Sequence, residues 1–144
     1  MGVSVPVSWV LITLGVLSRV VGVFRAVGQW DFKMLLAYHS ISQMGYVILG
    51  MGMGALILSQ NGDVKWAALA ILGGLFHLLN HAVFKSLLFL ASGSVEMATG
   101  TRHLKQLGGL VEKMPITRTT CTIASASIAG VPPFNGFWSK AIII

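Results

Sequence analysis

Read for apolar and polar positions, the chain divides into four apolar stretches separated by polar loops. The first runs from about Val3 to Val27, the second from about Leu35 to Leu58 and the third from about Lys65 to Ala91. The fourth begins near Pro115 and reaches the last residue. Each of the first three exceeds the roughly 20 residues that carry a helix across about 30 Å of hydrocarbon. Their interiors lack the strict alternation of a membrane β-strand, so helices are expected. The pattern predicts one all-α integral membrane segment of four hydrophobic helices, with no internal repeat and no low-complexity linker. The polar stretch over about 92–114 is predicted to be a loop holding a short amphipathic helix around Arg102–Leu110. The glycine pair in "LGGL" should end or bend that helix.

The fourth helix is predicted to be broken. "MPITRTTCTIASASIAG" offers helix over about 115–130, too short to cross alone. In "GVPPFNG", Pro132 and Pro133 remove two backbone donors while Gly130 and Gly136 loosen the chain. Helix resumes over about 136–144. A break at membrane depth frees amides and carbonyls, which only protein or a water-filled cavity can satisfy. Half-helix ends of this kind are typical ion sites in transporters. The chain stops in mid-helix without a polar flank, so it reads as a fragment or as half of a split subunit.

Loop charge orients the helices. "RAVGQWDFK" and "SGSVEMATGTRHLKQLGGLVEKMPITR" must lie on one side, opposite "SQNGDVKW". Arg25, Lys33, Arg102, Lys105, Lys113 and Arg118 fall on the first side and only Lys65 on the second. The positive-inside rule makes the basic loops cytoplasmic and the N-terminus external. Trp30 and Trp66 fall at the expected interfaces, as aromatic belt residues should.

Composition agrees with a membrane setting and narrows the chemistry. Of the 144 residues, 55% are hydrophobic and 10% charged, against about 25% charge in soluble domains. The net charge of +6 comes from scattered Lys and Arg, with no basic stripe interleaved with aromatics, so nucleic acid is excluded as a partner. Cys121 is the only cysteine, which leaves no disulfide framework. No positively charged n-region precedes the first apolar run, so a cleaved signal peptide is not expected. "MGVSVP" lacks the Ser or Thr that N-myristoylation needs at its sixth position.

Against this apolar background, "HLLNHAVFK" places His77, His81 and Lys85 at intervals of four. Such residues are turned about 40° and raised about 6 Å from one another, so the three form a ladder on one helix face. A lysine at the centre of a membrane helix costs roughly 2.5–3.5 kcal/mol, and "SLLFLA" after Lys85 leaves no easy exit by snorkelling. Histidine titrates near pH 6.5, and a row of titratable groups bridged by water can pass protons. Two other readings stand beside a proton path: a hydrogen-bonded structural cluster and a metal site. "HLLNH" lacks the zinc-protease Glu and offers no third carboxylate or Cys ligand, which counts against metal.

Lys140 follows the break by a few residues and is either a second station or an interfacial lysine. Arg19 reads as a snorkelling anchor. Asp31 and Lys33 read as surface residues at the start of the second helix, with a conducting or regulatory role as the alternative. Tyr38, His39, Ser40, Ser42 and Gln43 form a polar patch that either lines a wet channel or bonds neighbouring helices. Gly50 and Gly54 in "GMGMG" favour close helix packing.

With these residues in place, the sequence resembles the antiporter-like membrane subunits shared by respiratory complex I, membrane-bound hydrogenases, formate hydrogenlyase and multisubunit sodium/proton antiporters. The matching stretches are "DFKMLLAYHSISQMGYVILG", "HLLNHAVFKSLLFLASGSV", "RHLKQLGGL" and "AGVPPFNGFWSK". The resemblance implies about fourteen helices in the parent fold, with two inverted five-helix repeats that each hold a broken helix. This chain would be the ninth helix through the first part of the twelfth, most of the second repeat.

The resemblance assigns His77, His81 and Lys85 to the proton-conducting residues of the eleventh helix. Lys140 matches the key lysine of the broken twelfth helix. Asp31 and Lys33 match the start of the tenth, with Met34 replacing a usual basic residue. Gln43 stands where some members of the family have His. The first repeat's glutamate and lysine, and the residue linking the two half-channels, fall outside this chain.

The expected function is therefore ion translocation, of protons and possibly coupled to sodium, in a redox-driven complex of the hydrogenase or complex I type. The hydrogenase and formate hydrogenlyase proteins look somewhat nearer. Membership of a non-redox sodium/proton antiporter and a non-conducting remnant are the alternatives. No cofactor is expected in this chain; iron–sulfur, nickel–iron or flavin centres would belong to partner subunits. The expected partners are other membrane subunits, including a chain holding the missing repeat, and the lipid bilayer. The expected setting is a prokaryotic plasma membrane.

Overall fold

The computed structural model describes residues 5–143, so Val3 and the final isoleucine of the predicted helices lie outside it. Three long helices come first: α1 (Val5–Val27), α2 (Phe32–Ser59) and α3 (Val64–Thr99). A 3₁₀ turn (Leu104–Gln106) and the one-turn helix α4 (Leu110–Lys113) follow, then α5 (Pro115–Ala129) and α6 (Asn135–Ile143). Among the described residues the only β-type pairing is a single bridge between Asp31 and His103. Helices α1 to α3 are each long and apolar enough to cross a membrane, and the protein is an all-α, multi-pass membrane chain.

Local chemistry sets the helix ends. The Asp31 carboxylate accepts from the Met34 N–H at 3.1 Å and caps α2. Asp63 does the same for α3 through the Lys65 N–H at 2.9 Å. Such caps satisfy amides that the first turn leaves unpaired. Helix α3 continues beyond Ala91, where the apolar run fades, because no breaker intervenes before Gly100. That residue takes φ 71° and donates its N–H to the Glu96 carbonyl. At about 1.5 Å per residue the helix is about 54 Å long, which carries Glu96 beyond the hydrocarbon.

Close backbone approach holds α1 to α3 together. A Cβ added to Gly45 would lie 2.6 Å from the Gly15 carbonyl oxygen, and one on Gly22 2.6 Å from the Ser42 nitrogen. Gly50 and Gly54 press on α3 in the same way, against the carbonyls of Ala70 and Ala67. Small residues let apolar helices approach within dispersion range, which drives association in lipid. The outer face of α1 stays uncovered, with Trp9, Val10 and Leu17 more than half exposed. On the other side of α2 and α3, Leu36, Phe84 and Leu88 pack with Ala124 and Ile128 of α5 as one apolar cluster.

The stretch after α3 departs from the expected amphipathic helix over 102–110. Its backbone pairs instead with the start of α2: Phe32 N–H donates to Arg102 O at 3.0 Å and Leu104 N–H to Trp30 O at 2.8 Å. Those bonds require an extended Arg102–His103 segment, and only the 3₁₀ turn and α4 remain helical. Gly109, at φ 65°, begins α4, so the glycine pair separates the two short pieces.

Candidate functional site

The break between α5 and α6 fixes one end of the site. Gly130 adopts φ 83° and donates to the Ala126 and Ser127 carbonyls, and Val131 N–H also reaches Ala126 O. Ile128 O is met from across the break, where the Lys140 ammonium donates to it at 2.6 Å. A cation at a helix C-terminus is favoured by the dipole as well as by the hydrogen bond. The lysine stem runs beside Gly130, its Cδ 3.3 Å from where a Cβ would stand. Pro132 and Pro133, exposed and joined by a cis peptide, form the connection. Gly136 then lets α6 press directly against the Ser127 carbonyl.

Across from the break, α3 presents the ladder that the spacing predicted. His77 is 0% exposed, and His81 and Lys85 are each 6% exposed. Both nitrogens of His77 have partners on other helices: Nδ1 lies 2.9 Å from Ser139 Oγ on α6, and Nε2 lies 3.1 Å from Gln43 Oε1 on α2. The imidazoles of His77 and His81 are 6.4 Å apart between centroids, and His81 Nδ1 is buried without a protein partner. Lys85 donates to the Leu36 carbonyl in the first turns of α2. Asn80 and Asn135 pair through their amides at 3.0 Å, joining α3 to the start of α6.

Tyr46 lies at the centre of this arrangement. Its ring centroid is 5.5 Å from that of His77, 5.5 Å from Lys140 Nζ and 4.2 Å from the Arg19 guanidinium. Arg19 thus packs over an aromatic face rather than simply extending toward an interface. Two cations on one ring are each stabilised by its quadrupole. The sequence reading missed Tyr46 and Ser139; the latter was visible as a polar residue immediately before Lys140 in "FWSK".

The second-helix polar patch divides by function. Gln43 joins His77, whereas Ser42 donates to the Arg19 carbonyl at 3.0 Å and holds α1 to α2. Ser40 bonds back to Leu36 O within its own helix, and Tyr38 is half-buried. His39 lines an open cavity of about 170 Å³ with Leu36, Leu88, Ser125 and Ile128, and its Nδ1 has no protein partner. Leu36 and Ile128 supply the carbonyls that hold Lys85 and Lys140. The cavity thus touches the residues whose carbonyls hold the two lysines, and it has room for several waters. A larger groove of about 250 Å³ at the start of α5 is lined by Phe32, Val111 and Met114 together with Thr117, Arg118 and Cys121.

Asp31 and Lys33 belong to a different cluster, at the end of the bundle where α2 begins and α3 ends. Arg102 Nε meets Asp31 Oδ2 at 2.7 Å, and Lys33 meets Glu96 at 2.5 Å. The Met34 N–H and the Arg102 guanidinium hold the Asp31 carboxyl below the usual carboxylate range. Lys105 stacks over Trp30 at 4.2 Å. Together these contacts fasten the post-α3 strap onto α2. Among the described residues, no three His, Cys, Asp or Glu side chains converge as a metal site.

A polytopic helical membrane chain with a lysine-capped helix break beside a buried His–His–Lys row is the class of protein that the fold and site define. The particular family follows from comparison with known proteins. Residues 1–144 match the family described as NADH:quinone oxidoreductase/Mrp antiporter, transmembrane, and the chain belongs to it. It is 43% identical over 134 residues to an Na(+)/H(+) antiporter subunit of Alkalihalophilus pseudofirmus, covering 92% of this chain and 17% of the relative. It is 44% identical over 132 residues to an Na(+)/H(+) antiporter subunit of Bacillus subtilis, covering 92% and 16%. An Na(+)/H(+) antiporter subunit of Staphylococcus aureus matches at 43% over 133 residues, covering 92% and 17%. The chain thus spans about a sixth of the length of these curated relatives.

Proposed function

We propose that this chain forms a proton half-channel in the membrane arm of a multisubunit sodium/proton antiporter. One observation carries the reading: the buried His77–His81–Lys85 row faces a helix break whose free carbonyl is held by Lys140. Water in the cavity beside His39 would connect the two lysine stations, and exchange with His81 and His77 would extend the route along α3. Each group can take a proton and release it, which a purely structural polar cluster does not require.

The non-redox antiporter, an alternative in the sequence analysis, is adopted over the hydrogenase-type complex. Its support is the naming of the relatives as Na(+)/H(+) antiporter subunits. Other membrane subunits surround the segment, and helices outside this chain supply the remaining half-channel. In this reading the basic loops face the cytoplasm of a prokaryotic cell, an orientation supported by their charge bias.

The test uses inside-out membrane vesicles holding the complete antiporter with the full-length parent protein. Sodium added to energised vesicles should release protons without any added reductant. Lys85→Leu and Lys140→Met should each reduce that release by about a hundredfold, in line with loss of a proton-transfer group, while the subunits still copurify. Wild-type release in both assembled variants would sink the half-channel. Copurifying iron–sulfur, nickel–iron or flavin proteins, with flux dependent on a reductant, would instead restore the redox-driven reading.

A further inference from the structure

The hydrogen bonds around His77 are asymmetric in a way that the row on α3 does not require. Gln43 offers Nε2 an amide oxygen, which accepts a hydrogen bond but is too weak a base to take a proton. Ser139 offers Nδ1 a hydroxyl, which can accept or donate. That hydroxyl also lies 3.2 Å from the Gly136 carbonyl at the start of α6. Ser139 has one hydrogen and two possible acceptors for it, and both Ser139 and His77 are 0% exposed. A buried polar group left unpaired costs about 1–3 kcal/mol, so the hydroxyl must follow the charge on the imidazole.

We propose that Ser139 is the proton relay through which His77 loads and unloads protons at Nδ1 alone, with Gln43 keeping the Nε2 proton in place. The inference rests on the half-channel reading and changes one part of it: His77 is a branch site served from the break, not a through-relay in series with His81. In the neutral state Nε2–H donates to Gln43 and Ser139 donates to bare Nδ1. On loading, a proton from an amine or water on the broken-helix side binds the Ser139 oxygen as the hydroxyl hydrogen passes to Nδ1. The hydrogen that Ser139 retains then donates to the Gly136 carbonyl, and the imidazolium donates from both nitrogens. Unloading reverses both transfers, so every proton is accounted for.

The titratable or charged groups facing His77 are consistent with delivery from that side. His81 on its own helix lies 6.4 Å away between ring centroids, and Tyr46 of α2 offers its ring at 5.5 Å. On α6, Lys140 follows Ser139 in the chain and shares the Tyr46 ring. Helix α5 brings no further group, its Arg118 and Cys121 lying at the far end near Phe32.

The complete antiporter, labelled with ¹⁵N-histidine in lipid nanodiscs, gives a direct test by solid-state NMR. His77 signals are assigned by their loss in His77→Gln. At alkaline pH neutral His77 should carry its proton on Nε2, and Gln43→Leu should spread it over both nitrogens. Ser139→Ala should lower sodium-driven proton release about tenfold with the complex assembled, and Ser139→Thr should restore it by returning the hydroxyl. A neutral His77 protonated on Nδ1 overturns the proposal, as does wild-type release in Ser139→Ala. Where those results coincide with lost release in Lys140→Met, the half-channel stands and only this inference fails. Wild-type release in both Lys140→Met and Lys85→Leu overturns both.

Discussion

Lys140 donates to the Ile128 carbonyl at 2.6 Å across the break in its own membrane helix. The side chain proposed as a proton station is thus also the plug for a freed backbone acceptor. When Lys140 is neutral it keeps a donor for Ile128 but loses the favourable interaction of charge with the α5 C-terminus. Lys140→Arg, which retains a permanent charge, should keep the complex assembled and yet lower sodium-driven proton release about tenfold or more. Vesicle flux normalised to the amount of copurified protein checks this.

Gly136 is fixed by contact rather than by φ. A Cβ there would collide with the Ser127 carbonyl, a backbone atom that cannot swing aside. Gly136→Ala should therefore force α6 away from α5 and destabilise the segment by about 1–3 kcal/mol. Gly93, whose Cβ would meet nothing within 4 Å, is the control. Thermal unfolding of the detergent-solubilised complex should distinguish the two substitutions.

Lys85 separates stability from transport. Burying a lysine is unfavourable even with Leu36 O as its partner. Lys85→Leu fills similar space without the charge, so the complex should be as stable as the wild type, within about 1 kcal/mol, or more so. Proton release should still be lost. A parallel fall in melting temperature and flux would show that Lys85 acts through folding instead.

The strap across the start of α2 should respond to acid. Asp31 is held below its ordinary range by the Met34 N–H and by Arg102, so the folded state favours its ionised form. That contribution is present above the unfolded value of about 3.9 and disappears as pH falls through the lower folded value. Amide exchange at Phe32 and Leu104, corrected for intrinsic rates, should show protection that is retained at neutral pH and lost in that acid window. Asp31→Asn should weaken the same two amides at neutral pH, remove their acid dependence and leave those of Phe84 and Leu88 unchanged.

His39 tests the proposed water connection. Its side chain lines a cavity shared with Leu36 and Ile128, and its Nδ1 is buried without a protein partner. His39→Leu should dry that cavity and reduce flux about tenfold or more, whereas His39→Gln, which keeps polar atoms there, should retain more of it. Stopped-flow proton release from vesicles of the two variants provides the comparison.

The membrane helices and the break were legible in the sequence because both follow from local rules. A run of some twenty apolar residues spans the hydrocarbon whatever surrounds it, and Pro132–Pro133 cannot continue a helical ladder. The ladder of His77, His81 and Lys85 likewise follows from the helical period alone. Where local pattern fades, the reading weakened: α3 outlasted its apolar run by reaching Thr99, and the stretch after it paired with α2 instead of forming the expected helix.

Partners across helices were decided only in three dimensions. Nothing near His77 in the chain specifies Gln43 or Ser139, 34 and 62 residues away. Backbone acceptors such as Leu36 O and Ile128 O leave no trace in residue type at all. Their availability depends on how closely the helices pack and on where a helix is interrupted. The sequence by itself determined which ionisable groups enter the membrane and on which helix face they stand. Tertiary structure decided which of them meet, because in lipid a buried polar group finds its partner only in neighbouring protein or in a water-filled cavity.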